Sequence, residues 1–188
     1  MLEQRRQKLK EILTDPDEGV RRAAAEALER LESVLGADQL LEALKSGDRG
    51  VRVKALFALE KVNSPRVFPS LLAALKDPDA DCRVAAVQVL GKKKNPKTLG
   101  NLVRHLRDPH PAVRVFAAEA LGNFSDRRLV PYLVELLNEK DDELVRTAAQ
   151  SLGHIGAREA EPALIALLAD SRPGVRQKAA WALGRLEA

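Results

Sequence analysis

Apolar positions along this 188-residue chain recur at two superposed spacings. The short spacing is helical. Val20, Ala24, Ala27, Leu28 and Leu31 fall at i, i+4, i+7, i+8 and i+11, one face of an α-helix, and Leu2, Leu9, Ile12 and Leu13 mark an earlier one. The long spacing is 31 residues: from Leu28 it lands on Leu59, Leu90, Leu121, Leu152 and Leu183 without insertion or deletion. Four residues before each leucine stands an alanine, at Ala24, Ala55, Ala86, Ala117, Ala148 and Ala179. A fixed period of this size predicts a stack of like units, each packed on its neighbours.

Each unit reads as two helices. The first carries Leu40/Leu41/Leu44, Leu71/Leu72/Leu75, Leu102/Val103/Leu106, Leu133/Val134/Leu137 or Leu164/Ile165/Leu168. Ser64-Pro65, Asn95-Pro96 and Ser125-Asp126 begin such helices, and Pro69, Pro131 and Pro162 are expected to bend their first turn. The second helix follows a capping column, Asp17, Asp48, Asp79, His110, Asp141 and Arg172; the two members that are not Asp precede Pro111 and Pro173, suited to a first helical position. The expected fold class is all-α, a right-handed α-α superhelix (α-solenoid) of six two-helix repeats of 31 residues. The repeats span about 3–33, 34–64, 65–95, 96–126, 127–157 and 158–188, in a single domain 1–188. Arg5 and Arg6, where other units are apolar, give the first unit the polar outer face of a cap, whereas Leu183 and Leu186 leave the last unit uncapped.

Composition sharpens this picture. Apolar residues make up 45% of the chain but aromatics only 3%, so the core is Leu, Ala and Val. The single cysteine, Cys82, shares a column with Val20, Val51, Val113, Leu144 and Val175 and reads as a small buried apolar residue in a reducing compartment. With no signal-like start and no run of about 18 apolar residues, a cytoplasmic, soluble protein without membrane contact is expected.

The recurring string DPDxxVRxxAAxALG, followed by a short turn and PxLxxLL, resembles HEAT repeats, in particular the short HEAT-like kind of phycobilisome lyases. The resemblance covers the whole chain. It implies a curved stack whose second helices line a concave, usually ligand-binding, side, and a family that includes scaffolds, lyase subunits and enzymes.

Two periodic charge patterns have structural explanations. Asp15/Arg21, Asp77/Arg83, Asp108/Arg114 and Asp170/Arg176 recur in register and predict a ladder of charge-assisted hydrogen bonds at the turns, a feature similar to HEAT-family ladders. Ser46/Arg52 and Glu139/Val145 depart from it, and Arg146, one place further round the helix, is a candidate to meet a partner. The stripe Arg30, Lys61, Lys92, Asn123, His154 and Arg185 ends the second helices, where cations complement the helix dipole and also form a positive edge.

Candidate binding residues are those that break the repeat. Lys92, Lys93, Lys94 and Lys97 crowd one junction, and Lys93 stands in an otherwise apolar column, so its ammonium must reach out or the turn must open. Gly100 replaces the recurring proline and His105 an apolar residue. Arg104 and Arg107 add to the cluster, and residues 82–118 hold eight cations against Asp108 alone in a chain of net charge +4. Such an excess attracts acidic protein, phosphate or nucleic acid. The column Glu26, Phe57, Gln88, Glu119, Gln150, Trp181 varies most, and Phe57, Phe116 and Trp181 are candidate anchors or gap fillers. His105, His110 and His154 lack metal-site spacing, and no phosphate loop, nucleophilic triad or His-Glu pair is present.

The resulting expectation is a non-enzymatic protein-binding scaffold without cofactor or metal, its partner carrying an acidic surface, with end-to-end self-association through the last repeat a further possibility. The resemblance implies two alternatives: nucleic-acid binding, as in HEAT-like DNA glycosylases, through residues 82–118, and a phycobilin-lyase-like subunit.

Overall fold

The described residues form eleven α-helices, with short 3-10 turns at many of the junctions, and no strand. The structure, a computed structural model, describes residues 1–187, without the side chains of Ser33 and Ser46. Ser46 of the Ser46/Arg52 pair and the final residue of repeat 158–188 therefore lie outside the described residues. Contacts divide the chain into two compact units, Met1–Val67 and Phe68 onward.

Unit 1 contains α1 (Leu2–Ile12), α2 (Glu18–Ser46), α3 (Arg49–Leu59) and a 3-10 turn at Pro65–Val67. The 29-residue α2 runs straight across the expected boundary at 33/34. At the matching point other repeats carry Pro65, Pro96, a capping Asp126 or a left-handed Gly156. Here the chain offers only Gly36, which a helix accommodates at a cost of about 1 kcal/mol relative to Ala. Arg6 of α1 reaches Glu32 of α2 at 3.2 Å, so part of the basic N-terminal cluster ties the two helices together.

In unit 2 each first helix is a short α-segment entered from a 3-10 turn. These segments are α4 (Phe68–Ala74), α6 (Leu99–Arg104), α8 (Val130–Glu135) and α10 (Glu161–Ala166). The entry turn at Pro96–Thr98 forms although Gly100 stands where the others have proline, so the bend does not require that proline. The second helices are α5 (Ala80–Lys93), α7 (Pro111–Gly122), α9 (Asp142–Ile155) and α11 (Pro173–Leu183). Asp17, Asp48, Asp79 and Asp141 cap their helices by accepting backbone N–H bonds of 2.9–3.2 Å, while His110 and Arg172 make no cap and are followed by proline. Asp and Pro thus solve the same problem in two ways: one supplies an acceptor, the other removes a donor.

Successive second helices touch backbone to backbone. A Cβ on Gly91 would lie 2.6 Å from Ala120 Cβ, one on Gly122 2.7 Å from Ser151 Cβ, and one on Gly153 2.9 Å from Ala182 Cβ. The buried Ser151 hydroxyl is satisfied by donating to Ala118 O at 2.8 Å. Unit 1 holds Glu29 and Glu60 in that column, and neither can make such an approach. The difference shows in burial: Cys82, Val113, Leu144 and Val175 are at most 1% exposed, whereas Val20 and Val51 of the same column are 41% and 42% exposed. First helices α6 and α8 leave grooves between them. In unit 2 the second helices thus pack more closely on one another than the first helices α6 and α8 do.

Two substitutions check these points by chemical denaturation. Gly36→Ala should stabilise the protein by about 0.5–1 kcal/mol, because the site is helical and open, and a loss would show that the helix breaks there. Gly122→Val should cost about 1–3 kcal/mol by forcing α7 from α9.

Candidate interaction surfaces

The predicted ladder is chiefly a contact between arginine and backbone. Arg83 Nη1 donates to Asp77 O at 2.9 Å and Pro78 O at 3.1 Å, and Arg21, Arg114 and Arg176 repeat that fork on their own loops. The aspartates face the other way. Asp15, Asp77, Asp108 and Asp170 each accept the N–H two residues later at 2.8–2.9 Å, closing the turn. Between repeats, Arg83 Nε and Nη2 both bond Asp108 at 2.9 Å, with side chains only 13% and 6% exposed. Burial raises the Asp108 carboxyl, but the Arg83 fork and the His110 N–H outweigh it and hold the group below its ordinary value.

The fifth repeat has Val145 where the others have arginine, and the neighbouring repeat fills the gap. Arg172 Nη1 lies 3.4 Å from Glu139 O and from Lys140 O, the two carbonyls that an arginine at 145 would have taken. The same guanidinium grips Asp170 through two 2.9 Å bonds. Arg146, a candidate contact residue, pairs with Asp142 at 3.0 Å and Glu143 at 3.2 Å, and its stem lies against Gly174.

The eight cations of residues 82–118 do not form one patch. Arg83 and Arg114 are consumed by the ladder, and Arg107 pairs with Glu135 at 3.0 Å. Lys92, Lys93, Lys94 and Lys97 collect at the opposite end of α5 from Arg83. Lys93 is partly buried. Lys94 adopts a left-handed backbone at φ 49°, in the column where Gly156 has φ 73°. Arg104 sits on the first-helix side, in two adjoining grooves it shares with Val103 and Tyr132. Tyr132 is 46% exposed and escaped the sequence reading. As the single tyrosine in a column of Ser70, Asn101 and Ala163 it was a visible signal. His105 bridges repeats, with its ring nitrogens 2.7 Å from Asn101 O and 2.9 Å from Leu75 O.

On the second-helix side of unit 2, the columns Gln88, Glu119, Gln150, Trp181 and Lys92, Asn123, His154, Arg185 run across α5, α7, α9 and α11 and the turn after it. Trp181, 36% exposed, is packed rather than loose. Arg185 stacks 4.6 Å from its ring centroid, Lys178 Nζ stands 5.8 Å away, and the His154 ring meets it edge-on at 5.2 Å. Gly153 leaves the space into which the indole edge fits. Burial first, then the Arg185 and Lys178 cations, push His154 below its ordinary value against the pull of Glu119. Phe116 is half-buried on α7, and Phe57, 41% exposed, belongs to α3 of unit 1. No group of three metal-ligating side chains occurs among the described residues, and no described helix is long and apolar enough to cross a membrane.

A family model described as HEAT repeats matches residues 6–81, 68–153 and 146–188. Among solved structures, the complex of CpcE and CpcF of phycocyanin lyase from Nostoc sp. PCC7120 is 28% identical with a TM-score of 0.70, covering 80% of this chain and 64% of that one. The chain thus spans less than two thirds of that relative. YibA of E. coli matches at 21% identity and TM-score 0.65, over 95% of this chain and 71% of that one. A designed armadillo repeat protein in complex with the peptide (KR)4 matches at 19% identity and TM-score 0.63, over 99% of both chains. No curated protein sequence matches.

The Asp170 fork makes acid stability testable. Bonds from the Arg172 side chain and N–H hold the Asp170 carboxyl at about 2 against an ordinary 3.8. Because the folded value is the lower one, its stabilisation is full above about pH 4 and fades as pH falls towards 2. Asp170→Asn should therefore lower the urea midpoint at neutral pH and converge with the parent near pH 2; a constant offset would refute the linkage.

Proposed function

The chain belongs to the HEAT-repeat family, and from that premise we propose that it is a non-enzymatic scaffold that binds an acidic protein segment along the second-helix side of unit 2. The observation that carries this reading is the Trp181 cluster. An exposed indole edge is held rigid by His154, Lys178 and Arg185. Cations beside a fixed aromatic surface suit an extended segment with carboxylates and an apolar side chain, and a preformed site avoids the entropy of ordering loops. Towards α5 the same edge is continued by Asn123, Lys92 and the exposed Lys94. Phe116 of α7 contributes apolar area in part.

Nucleic-acid binding would draw on Lys92, Lys93, Lys94 and Lys97 at one end of α5, whereas Arg83 and Arg114 of the same stretch are held in the ladder. The likeness to phycocyanin lyase CpcE and CpcF favours a second reading, a subunit of a lyase assembly. This would be a special case of the scaffold, its partner being a second subunit of the assembly.

Trp181 is the single tryptophan, so its fluorescence reports directly on the site. Titration with a Glu-rich peptide containing one leucine should shift its emission, and Arg185→Glu with Lys178→Glu should abolish the shift. Bound carboxylates favour the charged imidazole, so affinity should rise as pH falls from 7.5 to about 5.5, and His154→Ala should flatten that rise. A shift unaffected by the charge reversals, or none with any acidic peptide, would refute the site.

A further inference from the structure

Three departures from the repeat meet in one groove of unit 2. Gly100 stands in a column with Pro69, Pro131 and Pro162, Arg104 in one with Ala73, Glu135 and Ala166, and Tyr132 in one with Ser70, Asn101 and Ala163. All three line the larger of the two grooves between α6 and α8, a cavity of about 430 Å³. Packing does not account for them. A Cβ on Gly100 would meet nothing within 4 Å, so the Tyr132 ring does not fill the space that the missing proline leaves, and it stays 46% exposed. Gly91, Gly122 and Gly153 serve a contact between helices, whereas Gly100 weakens α6 and serves none. Openness alone marks no site, as the equally open Gly36 shows. Gly100 differs in opening onto an unpaired charge.

Charge decides what the groove takes. Arg128 is held by Asp126 through Nε and Nη2, and Arg107 bonds Glu135 across the smaller groove at 3.0 Å, which leaves the larger one, beside Gly100, for a ligand. Arg104, exposed and shared by both grooves, has no acceptor or ion-pair partner among the described residues, and neither has the Tyr132 hydroxyl. A lone guanidinium suits one carboxylate, while Asp126, Glu135 and Glu139 around it disfavour a ligand that carries several. The half-buried Leu99 and Val103 and the buried Leu129 add apolar surface. From Pro96 to Arg104 the groove runs for about 13 Å, the reach of about four extended residues. It is open along its length, so a small carboxylate would stay mostly in water. A chain lying along it can set one apolar side chain beside Gly100 and offer a carbonyl to the Tyr132 hydroxyl.

We infer that this groove binds a short extended segment of a partner protein, with one carboxylate side chain seated on Arg104 between two apolar side chains. The surface belongs to the first helices and stands or falls independently of the Trp181 cluster. The single tyrosine and the single tryptophan of the chain keep the two sites separable. Panning a random heptapeptide phage library on the 188-residue chain, with Arg104→Glu protein for counter-selection, should enrich one Asp or Glu flanked by apolar residues. The enriched peptide, once synthesised, should move the one ring signal of protein labelled with carbon-13 tyrosine and leave Trp181 emission unchanged. Arg104→Glu should weaken its binding by about 10- to 100-fold, the range of one hydrogen bond to a charged group. Gly100→Leu, which fills the groove from an exposed helical position, should weaken it too while keeping the circular dichroism of the parent. A library that yields no Arg104-dependent sequence, a peptide that moves Trp181 instead of Tyr132, or binding that survives Gly100→Leu would each overturn the inference. So would dodecanoate that moves the Tyr132 signal as strongly as the peptide, since the site would then take a small carboxylate.

Discussion

Unit 2 depends on the contact between a glycine on one second helix and a small residue on the next. Gly91 on Ala120, Gly122 on Ser151 and Gly153 on Ala182 bring backbones together at distances no side chain could share. Wider spacing between the first helices leaves grooves on one face, and close packing shapes the second-helix side. Gln88, Glu119, Gln150 and Trp181 face that side because the glycines beside them hold the register. The first helices, released from such contact, leave the grooves around Val103, Arg104 and Tyr132.

The loops obey a different requirement. Each turn between a first and a second helix presents carbonyls that no helix satisfies, and an arginine must reach them. Which repeat supplies the arginine is secondary. In most rungs it comes from the loop's own second helix; where Val145 removes it, Arg172 enters from the next repeat and binds the same two carbonyl positions. The electrostatic demand belongs to the backbone, so a lost side chain can be replaced by any neighbour within reach.

This distinction also explains what was legible in the residues alone. The 31-residue columns, the capping aspartates and the leucine core were visible because they repeat, and repetition is evidence that a residue serves the fold. The continuity of α2 was hidden because Gly36 looks like a turn while lacking the proline or left-handed geometry that ends the other helices. The grouping of Lys92, Lys93, Lys94 and Lys97 was legible as a run of residues, whereas counting charges along a chain does not reveal that Arg83 sits at the opposite end of the same helix. The glycine column was countable, but its meaning needed the neighbour's Cβ. The departure from glycine at Glu29 and Glu60 was therefore not recognised as the place where the close-packed pattern stops.

Cys82 shows a practical side of the same packing. It is the single thiol of the chain, fully buried near the start of α5. Any reagent that modifies it must wait until that helix lifts from its surroundings. Its labelling rate under native conditions therefore counts openings of unit 2 at one known place, giving the protein a built-in clock for local unfolding.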